Sequence, residues 1–393
     1  AKTVHGLDKG HRSQFIADNL DLNRVMKKAS EVWDGGYAMG GMIGQGDGFL
    51  LRDPNGIRPA YYYVDDEVAV VASERPVIQT AFGLTFDQVK EVPPGHMVWI
   101  RKNGDLSIEK ILTPKERLAC SFERIYFSRG NDGDIYKERI ELGRRLTHRV
   151  MEASGGNFDH TVFSFIPNTA EISYMGLVQG AEDLLNELKA KAIIGLGKSP
   201  KEKDVMDIMM QRPRVEKIAW KDIKLRTFIA EDTGRDDMVA HVYDSTYNLV
   251  GPQDSLVAVD DSIVRGTTLK KSILGMLDKL GPKRIIIVSS APQIRYPDCY
   301  GIDMARMKDF AAFQAVVSLL KKRKLDQVLP KAYELAKSEL KKPKEEQINA
   351  VKAVYSHFSA DEISDEIAVI LTPKHVKAEV KIIYQRIEDL HAS

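Results

Sequence analysis

The stretch Leu256-Val257-Ala258-Val259-Asp260-Asp261-Ser262-Ile263-Val264-Arg265-Gly266-Thr267-Thr268 decides the fold of this chain. Its four leading apolar residues read as a strand buried on both faces, as in a parallel sheet. Two acids close that strand, and a short Gly/Thr loop leads into a helical pattern from Thr268 to Leu280. In open α/β sheets the carboxyl ends of the strands are where ligands bind. The amides of Arg265 to Thr268, the dipole of the following helix and the Thr267 and Thr268 hydroxyls make a cradle for a phosphate monoester. Asp260 and Asp261 offer acceptors to a diol or oxygens to a hydrated Mg²⁺.

Working outward, Thr161 to Ile166 and Arg284 to Ser289 are further strand candidates, separated by helical segments such as Tyr136 to Met151. Strands alternating with helices predict a parallel sheet covered on both faces. Upstream, from Gly35 to Leu112, short apolar runs (Gly48 to Leu51, Tyr61 to Val64, Val68 to Val71, His96 to Ile100) alternate with turn signals and predict antiparallel sheet. The glycines from Gly40 to Gly48 sit between strand-like segments and open no helix, so a hairpin is expected there. Residues 1 to 35 and the segment after Asp303 carry helical spacing. Pro114 and the charged Lys115-Glu116-Arg117 mark a boundary. The expected division is 1–118, an antiparallel β/α domain; 119–320, the α/β domain; and 321–393, a helical tail.

Lys and Arg number 57 against 56 Asp and Glu, a net charge of +1, so no overall field draws the chain to nucleic acid or an anionic membrane. No apolar run reaches the ~20 residues of a membrane span. Two cysteines, Cys120 and Cys299, make no disulfide scaffold, and a reducing cytoplasm is the expected compartment. The nine histidines show no zinc-ligand spacing. The Lys321-Lys322-Arg323-Lys324 cluster reads as the solvated end of a helix.

The Asp260-to-Thr268 string is the signature of the type I phosphoribosyltransferases. That resemblance implies a 5-phosphoribosyl-1-pyrophosphate (PRPP) site in which Ser262, Arg265, Gly266, Thr267 and Thr268 take the 5′-phosphate. Asp260 and Asp261 take the ribose hydroxyls. Phe165-Ile166-Pro167-Asn168-Thr169-Ala170 falls where that family keeps its pyrophosphate loop. Taken alone, Asn and Thr after a strand read as a turn and helix cap. The resemblance instead implies that Thr169, with Asp260 and Asp261, faces Mg²⁺.

Further stretches resemble glutamine phosphoribosylpyrophosphate amidotransferase, in the same order: Arg52-Asp53-Pro54-Asn55-Gly56-Ile57-Arg58-Pro59, Val71-Ala72-Ser73-Glu74, Pro94-Gly95, Phe122-Glu123-Arg124-Ile125-Tyr126-Phe127-Ser128-Arg129, Arg226-Thr227-Phe228-Ile229 and Tyr300-Gly301-Ile302-Asp303. Most similar is a long-form bacterial member, with Gly180 to Lys217 expanded. The resemblance implies a partial N-terminal-nucleophile glutaminase domain ahead of a phosphoribosyltransferase domain, in a homo-oligomer that makes 5-phosphoribosylamine from PRPP and glutamine-derived ammonia. The family's glutaminase nucleophile is a terminal cysteine. Residue 1 here is Ala, so the chain is expected to lack the N-terminal part of that domain and to use free ammonia at most. Some family members hold an iron–sulfur cluster, which takes about four thiolates; with two cysteines none is expected.

Two departures stand out. Asn168 occupies a position where the family carries Glu, and the segment after Ile229 is the acidic Ala230-Glu231-Asp232-Thr233-Gly234-Arg235-Asp236-Asp237. Lys224, Arg226 and Arg235 are candidate pyrophosphate contacts. A PRPP-binding regulator and a nucleobase salvage transferase remain alternative readings.

Overall fold

The computed structural model describes residues 8–44, 46–221, 243–297, 304 and 306–393. These fall in two compact units divided between Asp132 and Gly133. Residues 119–132, expected with the α/β domain, therefore lie in the antiparallel unit, and 321–393 lie in the same unit as the parallel sheet.

The first unit holds the helices α1 (Lys9–Asp18), α2 (Leu22–Ser30) and α3 (Arg75–Phe82) and seven strands: β1 (Ala38–Met42), β2 (Gly48–Arg52), β3 (Tyr61–Val64), β4 (Ala69–Ala72), β5 (Lys90–Glu91), β6 (His96–Ile100) and β7 (Leu106–Lys110). The order β1-β2-β6-β7 makes one antiparallel sheet and β4-β3-β5 a second. The Gly-rich run forms the β1–β2 hairpin, Met42 opposite Gly48. Because side chains alternate across a strand, the cross-strand pairs Leu50–Val98 and Leu51–Met97 go to opposite faces. Leu51 and Met97 pack with Leu22 and Met26 of α2. Leu50 and Val98 pack with Ala60 and Val92.

The second unit is built on a five-stranded, all-parallel sheet of order β14-β13-β12-β8-β9. Its strands are β8 (Thr161–Phe165), β9 (Arg214–Val215), β12 (Ser255–Asp260), β13 (Arg284–Ser289) and β14 (Glu379–Tyr384). Continuous apolar strands need cover on both sides, and alternation sorts them. Phe163, Val257, Val259, Ile286 and Val288 meet Leu146, Val150, Leu177 and Ala181 of α4 (Gly133–Ser154) and α5 (Glu171–Gly195). Val162, Leu256, Ala258, Ile285 and Ile287 meet helical residues between Leu269 and Leu371 on the other face.

The tail is helical at Val328–Glu339, Lys352–Tyr355, Ala360–Leu371 and Ile387–Ala392, but Glu379–Tyr384 is a strand, which corrects the all-helical expectation. Ile382, Ile383 and Tyr384 are buried, and pairing with β13 satisfies a backbone that a helix would have to satisfy locally. A short antiparallel ribbon pairs β10 (Ala219–Lys221) with β11 (Tyr243–Ser245) in the same unit. Among the described residues no helix is long and apolar enough to cross a membrane.

Candidate functional site

After β8 the chain passes through α5 to β9 on one side; after β12 it passes through a helix to β13 on the other. The carboxyl ends of the neighbouring strands β8 and β12 therefore flank a topological switch point, where the connections leave a crevice. Asp260 and Asp261 end β12 there, and Pro167-Asn168-Thr169 follows β8, with the Pro167–Asn168 peptide cis. Thr169 hydrogen-bonds the Asp261 carboxylate. Sequence-distant residues expected to share a site are thus brought together.

The acid pair is held by its neighbours. The Asp261 amide donates to Asp260 Oδ1 (2.9 Å) and Ser262 Oγ donates to Asp261 Oδ1 (2.8 Å). From the end of β13, Ser290 donates its amide to the Asp260 carbonyl (3.0 Å) and its hydroxyl to the Asp261 carbonyl (3.0 Å). Burial, and then the neighbouring Asp261, holds the Asp260 carboxyl well above the usual carboxylate range. Burial also raises Asp261, against the pull of Ser262, Arg139 and Thr169. Two adjacent acids that resist ionisation together favour whatever supplies positive charge or hydroxyl donors, a diol or a cation.

Beyond the acids, Arg265, Thr267 and Thr268 are exposed, and the helix that starts at Thr267 leaves its first amides without helical partners. Gly266 has φ +69°, and a Cβ there would overlap the Leu371 side chain. A glycine is required to turn this loop under the helix Ala360–Leu371. Asp260, Asp261, Ser262, Arg265, Gly266, Thr267, Thr268 and Thr169 thus share one sheet edge. Lys224, Arg226, Arg235 and Cys299 lie outside the described residues.

For Mg²⁺, no group of three or more His, Cys, Asp or Glu among the described residues is arranged to hold a metal alone. Two carboxylates with a threonine hydroxyl are nevertheless the partial oxygen set that suits Mg²⁺, which keeps several waters and shares substrate phosphates.

Arg139 escaped sequence reasoning. It lies in α4, is 3% exposed, and its charge acts on Asp261. One arginine in a helix rich in charge carries no outward sign of this. An open cleft of about 540 Å³ lined by Glu182, Leu185, Lys189, Met209 and Arg212 lies along the second half of α5. Leu185 is roughly 20 Å along the helix from its start, too far to belong to the acid pair's crevice.

The amidotransferase-like stretches of the first unit form a web of their own. Asp53 accepts from the amides of Asn55, Ile57 and Arg58 at 3.0–3.1 Å. Arg52 donates to the carbonyls of Arg58, Val92 and Gly56 and pairs with Glu91 at 2.7 Å. Arg58 pairs with Glu123 (2.5 Å) and Glu74 with Arg129 (2.7 Å).

A family model described as class-II glutamine amidotransferases matches residues 12–118. Amidophosphoribosyltransferase from Pasteurella multocida is 27% identical over 312 residues, 77% of this chain and 55% of the relative. Those of Pseudomonas aeruginosa and Schizosaccharomyces pombe are each 29% identical, over 71% and 76% of this chain and 50% and 54% of the relative. A solved glutamine PRPP amidotransferase from B. subtilis, complexed with ADP and GMP, superposes with TM-score 0.58 at 23% identity, covering 98% of this chain and 65% of that one. The chain resembles these enzymes in sequence and shares their fold, and it spans about half the length of the curated relatives it matches.

Proposed function

We propose that the unit from Gly133 onward binds PRPP with Mg²⁺ and transfers its phosphoribosyl group to ammonia, giving 5-phosphoribosylamine and pyrophosphate. The single observation that carries this reading is the meeting of Asp260–Asp261, Thr169 and the Arg265-to-Thr268 loop at the β8/β12 switch point. In it the loop anchors the 5′-phosphate, the acids take the ribose 2′- and 3′-hydroxyls, and Thr169 orients the pyrophosphate end. As the bond from C1 to the pyrophosphate oxygen breaks, the ammonia lone pair forms the C1–N bond and the nitrogen sheds one proton. Pyrophosphate is its own good leaving group, so the chain's contribution is positioning and charge. Mg²⁺, held by Asp260, Asp261 and Thr169 together with substrate oxygens, would neutralise the departing charge.

The same reading makes the protein a cytoplasmic homo-oligomer that takes free ammonia. Supplying ammonium directly separates the transferase step from any glutaminase step. With PRPP, Mg²⁺ and ammonium, pyrophosphate release is expected to depend on ammonium. Release that requires a purine or pyrimidine base instead would establish a salvage transferase. Tight PRPP binding without any release would establish a regulator, a reading favoured by Asn168 and the acidic stretch 230–237.

A further inference from the structure

The last registered pair between β12 and β13 is Asp260–Ser289, so Asp261 and Ser290 lie one step beyond it, where the chain after β12 turns off the sheet. Ser290 is 1% exposed and meets both acids there. Its amide donates to the Asp260 carbonyl and its hydroxyl to the Asp261 carbonyl, each at 3.0 Å. The amide bond continues the ladder; the hydroxyl bond is made by a side chain, at a carbonyl the ladder no longer serves. That carbonyl shares a rigid peptide plane with the Ser262 amide, and the Ser262 amide hydrogen-bonds the Asp261 carboxylate. Holding the plane from one side therefore fixes the donor on the other. We propose that Ser290 is a positioning residue of the acid pair, its hydroxyl setting the turn at Asp261 and so the direction in which that carboxylate meets the ribose of PRPP. The inference rests on the PRPP reading of the preceding section.

Ser290 is itself held from both neighbours. The Gln385 amide, one residue past β14, is shared between the carbonyls of Ser289 (3.1 Å) and Ala291 (3.2 Å). The Ser289 hydroxyl donates to the Ala291 carbonyl (2.9 Å) and accepts from the Ala291 amide (3.2 Å), closing a small ring around Ser290. The Gln385 side chain runs on to α4, where Nε2 donates to the Leu142 carbonyl at 2.7 Å. That anchor cannot yield: a Cβ at Gly143 would overlap the Ser173 carbonyl, and one at Gly176 the Ile140 carbonyl, so α4 and α5 touch backbone to backbone. From the adjacent residue, the Tyr384 hydroxyl donates to the Ile263 carbonyl (3.4 Å), a second hold on the loop that follows the acids. The end of β14 thus fixes Ser290, and Ser290 fixes the acids.

The test is calorimetric titration of the folded full chain with PRPP and Mg²⁺, with urea midpoints measured alongside. S290A keeps the ladder amide and removes only the hydroxyl; S290C fills the space with a weak donor. Both are expected to weaken PRPP binding about 10-fold, the low end for groups that orient a ligating side chain. Wild-type affinity in S290C with a loss in S290A would mean that Ser290 fills space, and would overturn the proposal. In a D261N background, where the carboxylate to be aimed is gone, S290A is expected to cost little further affinity. An equal loss in both backgrounds marks a general loosening and overturns the proposal. Should S290A fail to fold, S290C carries the titration and is expected to bind more weakly than wild type. A lowered urea midpoint with unchanged affinity makes Ser290 a residue of the fold alone and overturns the proposal while the PRPP reading stands. No binding by the wild type overturns the PRPP reading and the proposal with it.

Discussion

The two acidic motifs of this chain invite comparison: Asp53 in the antiparallel unit and Asp260–Asp261 in the parallel one. Asp53 is fully buried and takes three backbone amides. Beside it Arg52, 2% exposed, is answered by three carbonyls and Glu91. Every charge there is answered from within, so the motif works as a local clamp. Asp260 takes one amide, that of Asp261, and Asp261 takes the Ser262 and Thr169 hydroxyls and the Ser262 amide, yet burial leaves both resisting ionisation. Acids left short of partners at the mouth of a crevice are suited to an outside ligand. What separates a structural motif from a binding motif here is how fully each charge is satisfied.

Removing a partner from the clamp should have the largest effect on stability. Arg52→Met strands three carbonyls, while Glu91 keeps its pair with Arg117 (2.9 Å), and is expected to cost about 3–5 kcal/mol, read as a lower urea midpoint for the antiparallel unit. A loss under about 1 kcal/mol would mean that the clamp is dispensable. Gly176→Ala forces a methyl into the Ile140 carbonyl and should cost up to about 3 kcal/mol through overpacking. A neutral Gly176→Ala would show that the α4–α5 pair separates freely.

Asp260→Asn, by contrast, should leave stability unchanged or raise it by about 1 kcal/mol, because it removes one of two crowded buried acids. Turnover should collapse in the same variant. The pH dependence follows with a definite sign. A carboxyl raised in the folded state binds its proton more tightly there than in the unfolded chain. Its contribution is therefore fully present below the unfolded value of about 3.9 and is lost as pH rises through the raised folded value. Wild type should accordingly lose stability, relative to Asp260→Asn, as pH rises across that window. A difference that runs the other way would mean that Asp260 is stabilised as a carboxylate.

Asp254 supplies the opposite sign at the amino edge of the same sheet. Burial raises its carboxyl, but hydrogen bonds from Arg214 (2.9 Å), the Gly251 amide (2.8 Å) and His160 (3.1 Å) bring it below its ordinary value. Its stabilisation is present above about pH 3.9 and is lost as pH falls through the depressed folded value. Asp254→Asn should therefore cost about 1–2 kcal/mol at neutral pH, and the gap to wild type should shrink on acidification.

The parallel sheet was legible because Leu256–Val259 and Ile285–Val288 are unbroken apolar runs and Val162–Phe165 is interrupted only by Ser164, a pattern that little else than a doubly covered sheet accommodates. The strand Glu379–Tyr384 was not, since Lys381 interrupts its apolar residues and helical segments precede it; a neighbour's hydrogen bonds make it a strand. The two-residue β9 exists only through its pairing with β8. In the site, Asp260, Asp261, Thr169 and the Gly266 loop were readable from residue type and order. Arg139 was not, because burial of a single charge in an amphipathic helix leaves no periodic trace. Gly176 and Gly180, four apart in α5, were a signal of close helix approach that could have been read.

The most direct test of the central claim is calorimetric titration of the full chain with PRPP in the presence of Mg²⁺, alongside the Asp260→Asn/Asp261→Asn double variant. Wild type is expected to bind one PRPP per chain, and the folded double variant to lose at least about 100-fold in affinity, near 2.7 kcal/mol. Equal binding by both proteins, or none by the wild type, would contradict the assignment of the acid pair.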